Sequence, residues 1–195
     1  MLTDPTENQG ILRAMLSVLL LTAGIAGQAT AADPSLLQVC LDCHRGEQSR
    51  GAVPALEGQH AAYLSVQLTR FQERHRSSFP MSSMAAGLEP AQIGALAAAL
   101  AARPWQPAGS PPAAATSIGA SQLEALDCAS CHGADYRGGG VIPRIAGQQA
   151  AYLERQIIGF ADAERYHPPV GGGSRMYGID PAFASAIAAA LSALR

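Results

Sequence analysis

Two five-residue stretches, CLDCH at residues 40–44 and CASCH at residues 128–132, decide how this sequence is interpreted. Each stretch places two cysteines three positions apart and follows the second cysteine directly with a histidine. The chain has 195 residues and four cysteines, so the two stretches contain every cysteine in the chain. No cysteine is left over for a separate role.

The Cys-x-x-Cys-His spacing is typical of covalent haem attachment. Two thiols on one helical turn reach the two vinyl groups of one porphyrin, and the adjacent histidine then lies beneath the iron as its proximal ligand. Half of a zinc site also contains a Cys-x-x-Cys pair, but zinc does not explain the two histidines. A thioredoxin-like redox pair needs a strand–helix context, which the sequence lacks. The motifs therefore predict two covalently bound haem c groups, held by Cys40, Cys43, Cys128 and Cys131, with His44 and His132 bound to iron.

Residues 1–32 are predicted to be a signal peptide. Arg13 precedes an apolar run over residues 14–26, and small residues follow at positions 29–32. An uncleaved membrane anchor is the alternative interpretation. Export predicts a periplasmic location, where free thiol pairs are expected to form disulfides. The formal net charge is only −2, which gives no reason to expect a nucleic-acid partner.

An internal repeat covers much of the remaining chain. Residues 53–76 (VPALEGQHAAYLSVQLTRFQERHR) and 142–165 (IPRIAGQQAAYLERQIIGFADAER) align without gaps and share ten identities in 24 positions. The two cysteine motifs are separated by almost the same offset. The chain is therefore predicted to use one structural unit twice.

The repeat predicts an all-α chain of two tandem domains, at residues 33–103 and 121–195, joined by a Pro-rich linker at 104–120. In each unit a short helix carries the cysteine motif, begun by Pro34 in the first unit and capped by Ser121 in the second. The spacing of apolar residues predicts the longer helices, and no stretch alternates with the period of a strand. These longer helices are expected at residues 60–75, 90–102, 149–164 and 181–194.

Each iron also needs a sixth ligand, which we seek downstream of each cysteine motif. Met81 stands 15 residues before Leu96, and Met176 stands 15 residues before Leu191. This register makes the two methionines equivalent and predicts that Met81 and Met176 bind iron. A thioether opposite histidine raises the potential of the haem. It also closes the iron to substrates, which favours electron transfer over catalysis.

Other methionine and histidine side chains compete for these positions. Met84 is the alternative to Met81 and is otherwise expected to contact the core or the haem edge. His167 is the alternative to Met176. His60, His75 and His167 are otherwise expected at the surface. For His60 and His75 the second unit has no histidine at the equivalent positions.

Further residues are expected to support the haems. A ligating histidine usually donates its second ring N–H to a carbonyl, and the carbonyls of Pro54 and Pro143 are candidates. The candidates for bonds to haem propionates are Tyr63, Tyr152, Gln67, Gln156 and Arg144.

With these motifs in view, the sequence resembles the two-haem cytochrome c-four family over about residues 36–194. The resemblance implies two class-one cytochrome c domains related by a pseudo-twofold axis, each with a His/Met-ligated haem, exchanging electrons across the propionate edges. It also implies a periplasmic, often membrane-associated protein that passes electrons to terminal oxidases or serves as the haem subunit of a dehydrogenase.

We therefore expect an electron carrier between redox protein partners rather than an enzyme. The alternative is a small-substrate dehydrogenase or peroxidase, or the haem subunit of one. Such chemistry usually needs an open or unusually ligated iron, for example one bound by cysteine, and the chain has no fifth cysteine.

Overall fold

A computed structural model of the protein describes residues 31–45, 51–107, 113–168 and 176–195. The predicted signal peptide therefore lies outside the described residues, except for its last two positions. Extended pairing in the described ranges is limited to one isolated bridge between Gly139 and Ile142. The described chain is thus helical, as predicted. Its helices are α1 (Pro34–His44), α2 (Ala61–Gln72), α3 (Met81–Ala86), α4 (Pro90–Ala101), α5 (Ala113–Ala125), α6 (Ala129–His132), α7 (Ala150–Ala161) and α8 (Pro181–Ala193).

Three helices begin with the same device, an acidic residue followed by proline. Asp33 precedes α1, and its carboxylate accepts a hydrogen bond from the backbone N–H of Ser35 at 2.8 Å. Asp180 caps α8 through the N–H of Ala182 at 2.7 Å. Glu89 precedes Pro90 at the start of α4. Proline suits the first helical turn because its missing N–H has no partner there.

Helix packing repeats in the two halves of the chain. In the first half, α4 packs against α1 and α2, and α3 packs against α2. In the second half, α8 packs against α5 and α7. Each half has its own apolar core, as expected for a unit used twice. The buried core residues are Leu41, Leu64, Ala97 and Leu100 in the first half, and Leu123, Leu153, Ile157, Ala184, Ile187, Ala188, Ala190 and Leu191 in the second.

The start of the second unit differs from the prediction. Helix α5 begins at Ala113, and Ser121 lies inside it with its hydroxyl directed at the carbonyl of Ser117, so the predicted cap at Ser121 is wrong. The last part of the predicted linker is therefore helical. Small residues explain this: Gly119 lets α5 approach α8 so closely that a Cβ there would lie 2.7 Å from that of Ala190. Packing on α8 then stabilises a stretch whose sequence lacks a helical apolar period.

The predicted alignment of the two terminal helices, which pairs Leu96 with Leu191, is also wrong. The N–H of Gly58 donates to the carbonyl of Leu100 at 2.9 Å, and the N–H of Gly147 donates to that of Leu191 at 2.8 Å. Because Gly58 and Gly147 are equivalent in the repeat, Leu191 corresponds to Leu100 and not to Leu96. The alanine-rich helices α4 and α8 offered several similar alignments, and these bonds agree with the alignment that pairs Pro90 with Pro181.

No helix in the described ranges is both long enough and apolar enough to span a bilayer.

Candidate haem sites

The first cysteine motif lies at the end of α1. His44 is only 8% exposed, and its Nδ1–H donates to the carbonyl of Pro54 at 2.8 Å. Burial lowers the pKa of His44, and the bond to Pro54 partly opposes that shift. The imidazole is thus neutral near pH 7, oriented by Nδ1, and has Nε2 left to bind a metal.

The second motif repeats this geometry on a shorter helix. Cys128 precedes α6, which carries Cys131 and His132. The Nδ1–H of His132 donates to the carbonyl of Pro143 at 3.0 Å, and burial lowers its pKa as well. The expected acceptor role of the two proline carbonyls is therefore confirmed in both halves.

The four cysteines, all of which the structure describes, are not joined by disulfides. Burial raises the pKa of Cys40. Burial, with a smaller contribution from Asp127, raises the pKa of Cys128 to about 11. A redox-active or zinc-binding cysteine has a lowered pKa, whereas the pKa values of Cys40 and Cys128 are raised.

The candidate sixth ligands lie in different settings. Met81 is half-buried at the start of α3, whereas Met84 is 46% exposed. In the second half, Met176 is half-buried against the apolar core. His167 lies close to His132, with their ring centres 6.4 Å apart. His75 is exposed beside Glu73, as expected for a surface residue.

A polar cluster of six side chains joins the two halves. The guanidinium of Arg76 donates to Gln67 at 2.8 Å within its own half, and to Gln156 at 2.9 Å and the Tyr152 hydroxyl at 3.1 Å across the interface. Arg165 donates to Gln156 and also reaches Gln67 at 3.3 Å. The sixth member is Tyr63, whose pKa burial raises to about 12, so its hydroxyl stays protonated.

Two half-buried cations in one cluster favour a bound anion. In the part of the chain that the structure describes, neither Arg76 nor Arg165 forms an ion pair with a carboxylate. An uncompensated buried charge is unfavourable, and guanidinium groups bind carboxylates well. Haem propionates have the charge and chemistry that the cluster lacks, so the residues present fit the group that the cysteine motifs predict.

A second set of interface bonds fixes the loops beside the proximal histidines. The side-chain amide of Gln148 accepts from the N–H of Ala55 at 2.8 Å and donates to its carbonyl at 2.9 Å. Gln59 makes the same pair of bonds, at 2.8 Å each, with the backbone of Arg144. We call these two contacts the glutamine clamp. Each clamped residue directly follows the proline whose carbonyl orients a proximal histidine.

The expected bond of Arg144 to a haem propionate stays a prediction, and the structure shows a second contact of this side chain. Its guanidinium lies 5.1 Å from the ring centre of Trp105, in the predicted linker. Trp105 also contacts the turn at Gly58, where a Cβ would lie 2.7 Å from the Trp105 backbone nitrogen and where φ is +71°. This part of the linker is thus packed against the units that it joins.

Arg76, Arg165, Gln59 and Gln148 were not among the site residues expected from the sequence. The sequence nevertheless pointed to them, because the repeat aligns Arg76 with Arg165 and Gln59 with Gln148. A polar residue that is identical in both units indicates a role common to the two units. The spacing of apolar residues does not reveal such a role.

Comparison with known proteins gives consistent results. The cytochrome c family model matches residues 117–190. A thiosulfate dehydrogenase electron acceptor from Thiomonas intermedia (strain K12) is 34% identical over 157 residues, which cover 72% of this chain and 71% of that protein. Cytochrome c4 from Thiocapsa roseopersicina is 31% identical over 157 residues, which cover 74% of this chain and 81% of that protein.

A solved structure shows the same architecture. The cytochrome c4 of Acidithiobacillus ferrooxidans superimposes with a TM-score of 0.72 at 29% identity, covering 80% of this chain and 99% of that one. The fold is therefore that of a two-domain class-one cytochrome. From its motifs, its paired units and these relatives, the chain belongs to the cytochrome c4 family, whose members hold covalently bound haem c and carry electrons.

Proposed function

We propose that the chain binds two haem c groups and passes electrons between redox protein partners in the periplasm. The observation that carries this proposal is the equivalence of the two motif regions. Each has a cysteine pair and a buried histidine held by a proline carbonyl. A haem would supply one-electron redox chemistry at each motif.

The proposed haem-binding residues are those of the two motifs, with Met81 as the sixth ligand in the first half. Met176 was predicted for the second half through the register that the structure corrects. Without that alignment, the repeat no longer pairs Met176 with Met81. Met176 packs against the apolar core of the second half, and it competes with His167 for the second iron.

The chain's own residues have three tasks in this proposal. His44 and His132 bind iron through Nε2, while the proline carbonyls keep the imidazoles oriented. Arg76 and Arg165 hold the propionates and exclude water between the halves. The glutamine clamp fixes the distance between the two motif loops. Electron exchange within the chain thus occurs across a rigid polar interface.

The donor that we propose is a dehydrogenase acting on a reduced sulfur compound. The relative from Thiomonas intermedia is described as a thiosulfate dehydrogenase electron acceptor, and its match covers 72% of this chain. The acceptor is proposed to be a terminal oxidase or another cytochrome.

Rapid mixing of the isolated holoprotein tests this function. The reduced protein should be oxidised quickly by ferricyanide, and the oxidised protein should be reduced by a thiosulfate dehydrogenase only when thiosulfate is present. Carbon monoxide should bind slowly and incompletely, because both irons are six-coordinate. Fast stoichiometric carbon monoxide binding, together with turnover of thiosulfate or peroxide by the chain alone, would instead show an enzyme.

A further inference from the structure

The ligand of the second iron can be argued from the position of His167. The ring centres of His132 and His167 are 6.4 Å apart, with 33° between the ring planes. An imidazole nitrogen binds a first-row metal at about 2.0–2.1 Å, so two imidazoles on opposite sides of one metal have ring centres roughly 6 Å apart. The observed separation has room for one metal ion between the rings.

His167 makes a hydrogen bond of the type that metal-ligating histidines make. Nδ1 of His167 is 2.9 Å from the carbonyl of Pro168. The proximal histidines, His44 and His132, have the same type of bond, from Nδ1 to a proline carbonyl. In all three the Nδ1 position is used and Nε2 is left for a metal, which is the usual arrangement of ligating histidines.

The remaining histidines lack this combination. His60 uses Nε2 in a 2.7 Å contact with the carbonyl of Arg137. His75 is exposed, with Nδ1 3.3 Å from the carboxylate of Glu73. His167 is half-buried, and Phe160 packs edge-on against its ring at 4.9 Å between centres. Its orientation is therefore fixed by packing as well as by the bond to Pro168.

From this geometry we infer that the second iron is bound by His132 and His167, while the first is bound by His44 and Met81. The inference rests on the two-haem function proposed above. Met176 then serves as a residue packed against the core of the second half. Imidazole donates more strongly than thioether and favours ferric iron, so the second site has the lower potential. A half-reduced chain accordingly holds its electron in the first half.

The spectrum of the oxidised holoprotein tests this assignment without any substitution. Thioether-ligated ferric haem has a weak far-red charge-transfer band, which bis-histidine haem lacks. We expect the intensity of that band to correspond to one haem per chain, although the chain carries two. An intensity that corresponds to two haems would overturn the inference.

Substitutions identify the residues responsible. Met81→Ala should abolish the far-red band, whereas Met84→Ala and Met176→Ala should leave it unchanged. If Met176→Ala halves a two-haem band, Met176 is the ligand and the inference is wrong.

His167→Ala should raise the lower of the two midpoint potentials and open one reduced iron per chain to carbon monoxide. His75→Ala is the matched control and should change neither. If Met176 binds the iron in place of the lost imidazole, the far-red band of His167→Ala should instead be twice as intense as in the unsubstituted protein. This result also supports the inference, because the band can double only if His167 is the native ligand. Potentials and carbon monoxide binding identical to those of the unsubstituted protein would contradict the assignment. The haem count stays at two in each of these outcomes, so they are distinguishable from failure of the proposed function.

Discussion

A hydrogen bond from a histidine ring to a proline carbonyl occurs three times in this chain, at His44, His132 and His167. Each bond occupies Nδ1 and leaves the other nitrogen for a metal. The carbonyls of Pro54 and Pro143 were predictable because a ligating histidine needs such an acceptor and each motif is followed by one proline loop. His167 was predictable only as a rival ligand, because its distance from His132 depends on tertiary structure.

The glutamine clamp provides a test at the level of single side chains. Ala55 is 1% exposed, and its N–H and carbonyl both bond to the side chain of Gln148. Gln148→Ala leaves both groups buried without these partners. We expect the free energy of unfolding of the holoprotein to fall by about 1–3 kcal/mol or more, measured by urea denaturation.

Gln106→Ala is the control, because Gln106 is exposed in the linker. It should change the free energy of unfolding by less than about 0.5 kcal/mol. A Gln148→Ala variant as stable as this control would show that water replaces the clamp without cost.

At the level of helices, apolar spacing predicted where α2, α4, α7 and α8 form, since each buries one face. It did not predict the start of α5. Apart from Ile118, the sequence over residues 113–120 consists of small residues, and its helix is stabilised by close contact with α8 rather than by an amphipathic pattern. The short helix α3 was missed for a related reason, because six residues are too few to show a helical period.

The α5–α8 crossing makes Gly119 sensitive to the smallest substitution. A Cβ at this position would overlap the carbonyl oxygen of Ala186 and approach the Cβ of Ala190 to 2.7 Å. Gly119→Ala should therefore destabilise the protein by about 1–3 kcal/mol, as overpacking usually does. Thermal or urea unfolding of the holoprotein measures this.

Gly94 offers the matched control, because it is exposed in α4 and a Cβ there meets nothing within 4 Å. Gly94→Ala should stabilise the protein by roughly 0.5–1 kcal/mol through helix propensity alone. If both substitutions changed the free energy of unfolding in the same direction, α5 and α8 would be able to move apart and accept the added Cβ.

For the whole molecule, the repeat predicted two units but not how they meet. The interface depends on residues far apart in sequence, such as Gln59 with Arg144 and Arg76 with Gln156. Neither helical periodicity nor motif spacing specifies such pairs. The interface brings Arg76 and Arg165 together without a carboxylate in the described residues. A cofactor with propionate groups suits this interface because it supplies the missing negative charge.

The central claim is that one chain holds two covalently bound haems, and intact mass measures this most directly. Protein from cells that attach haem c should be extracted with acid–acetone, which removes haem that is not covalently bound, and then weighed by mass spectrometry. We expect the mass of the mature polypeptide plus two haems, and a loss of one haem when Cys128 and Cys131 are both replaced by alanine. A mass corresponding to one haem or none in the unsubstituted protein, or bound zinc in place of haem, would contradict the account.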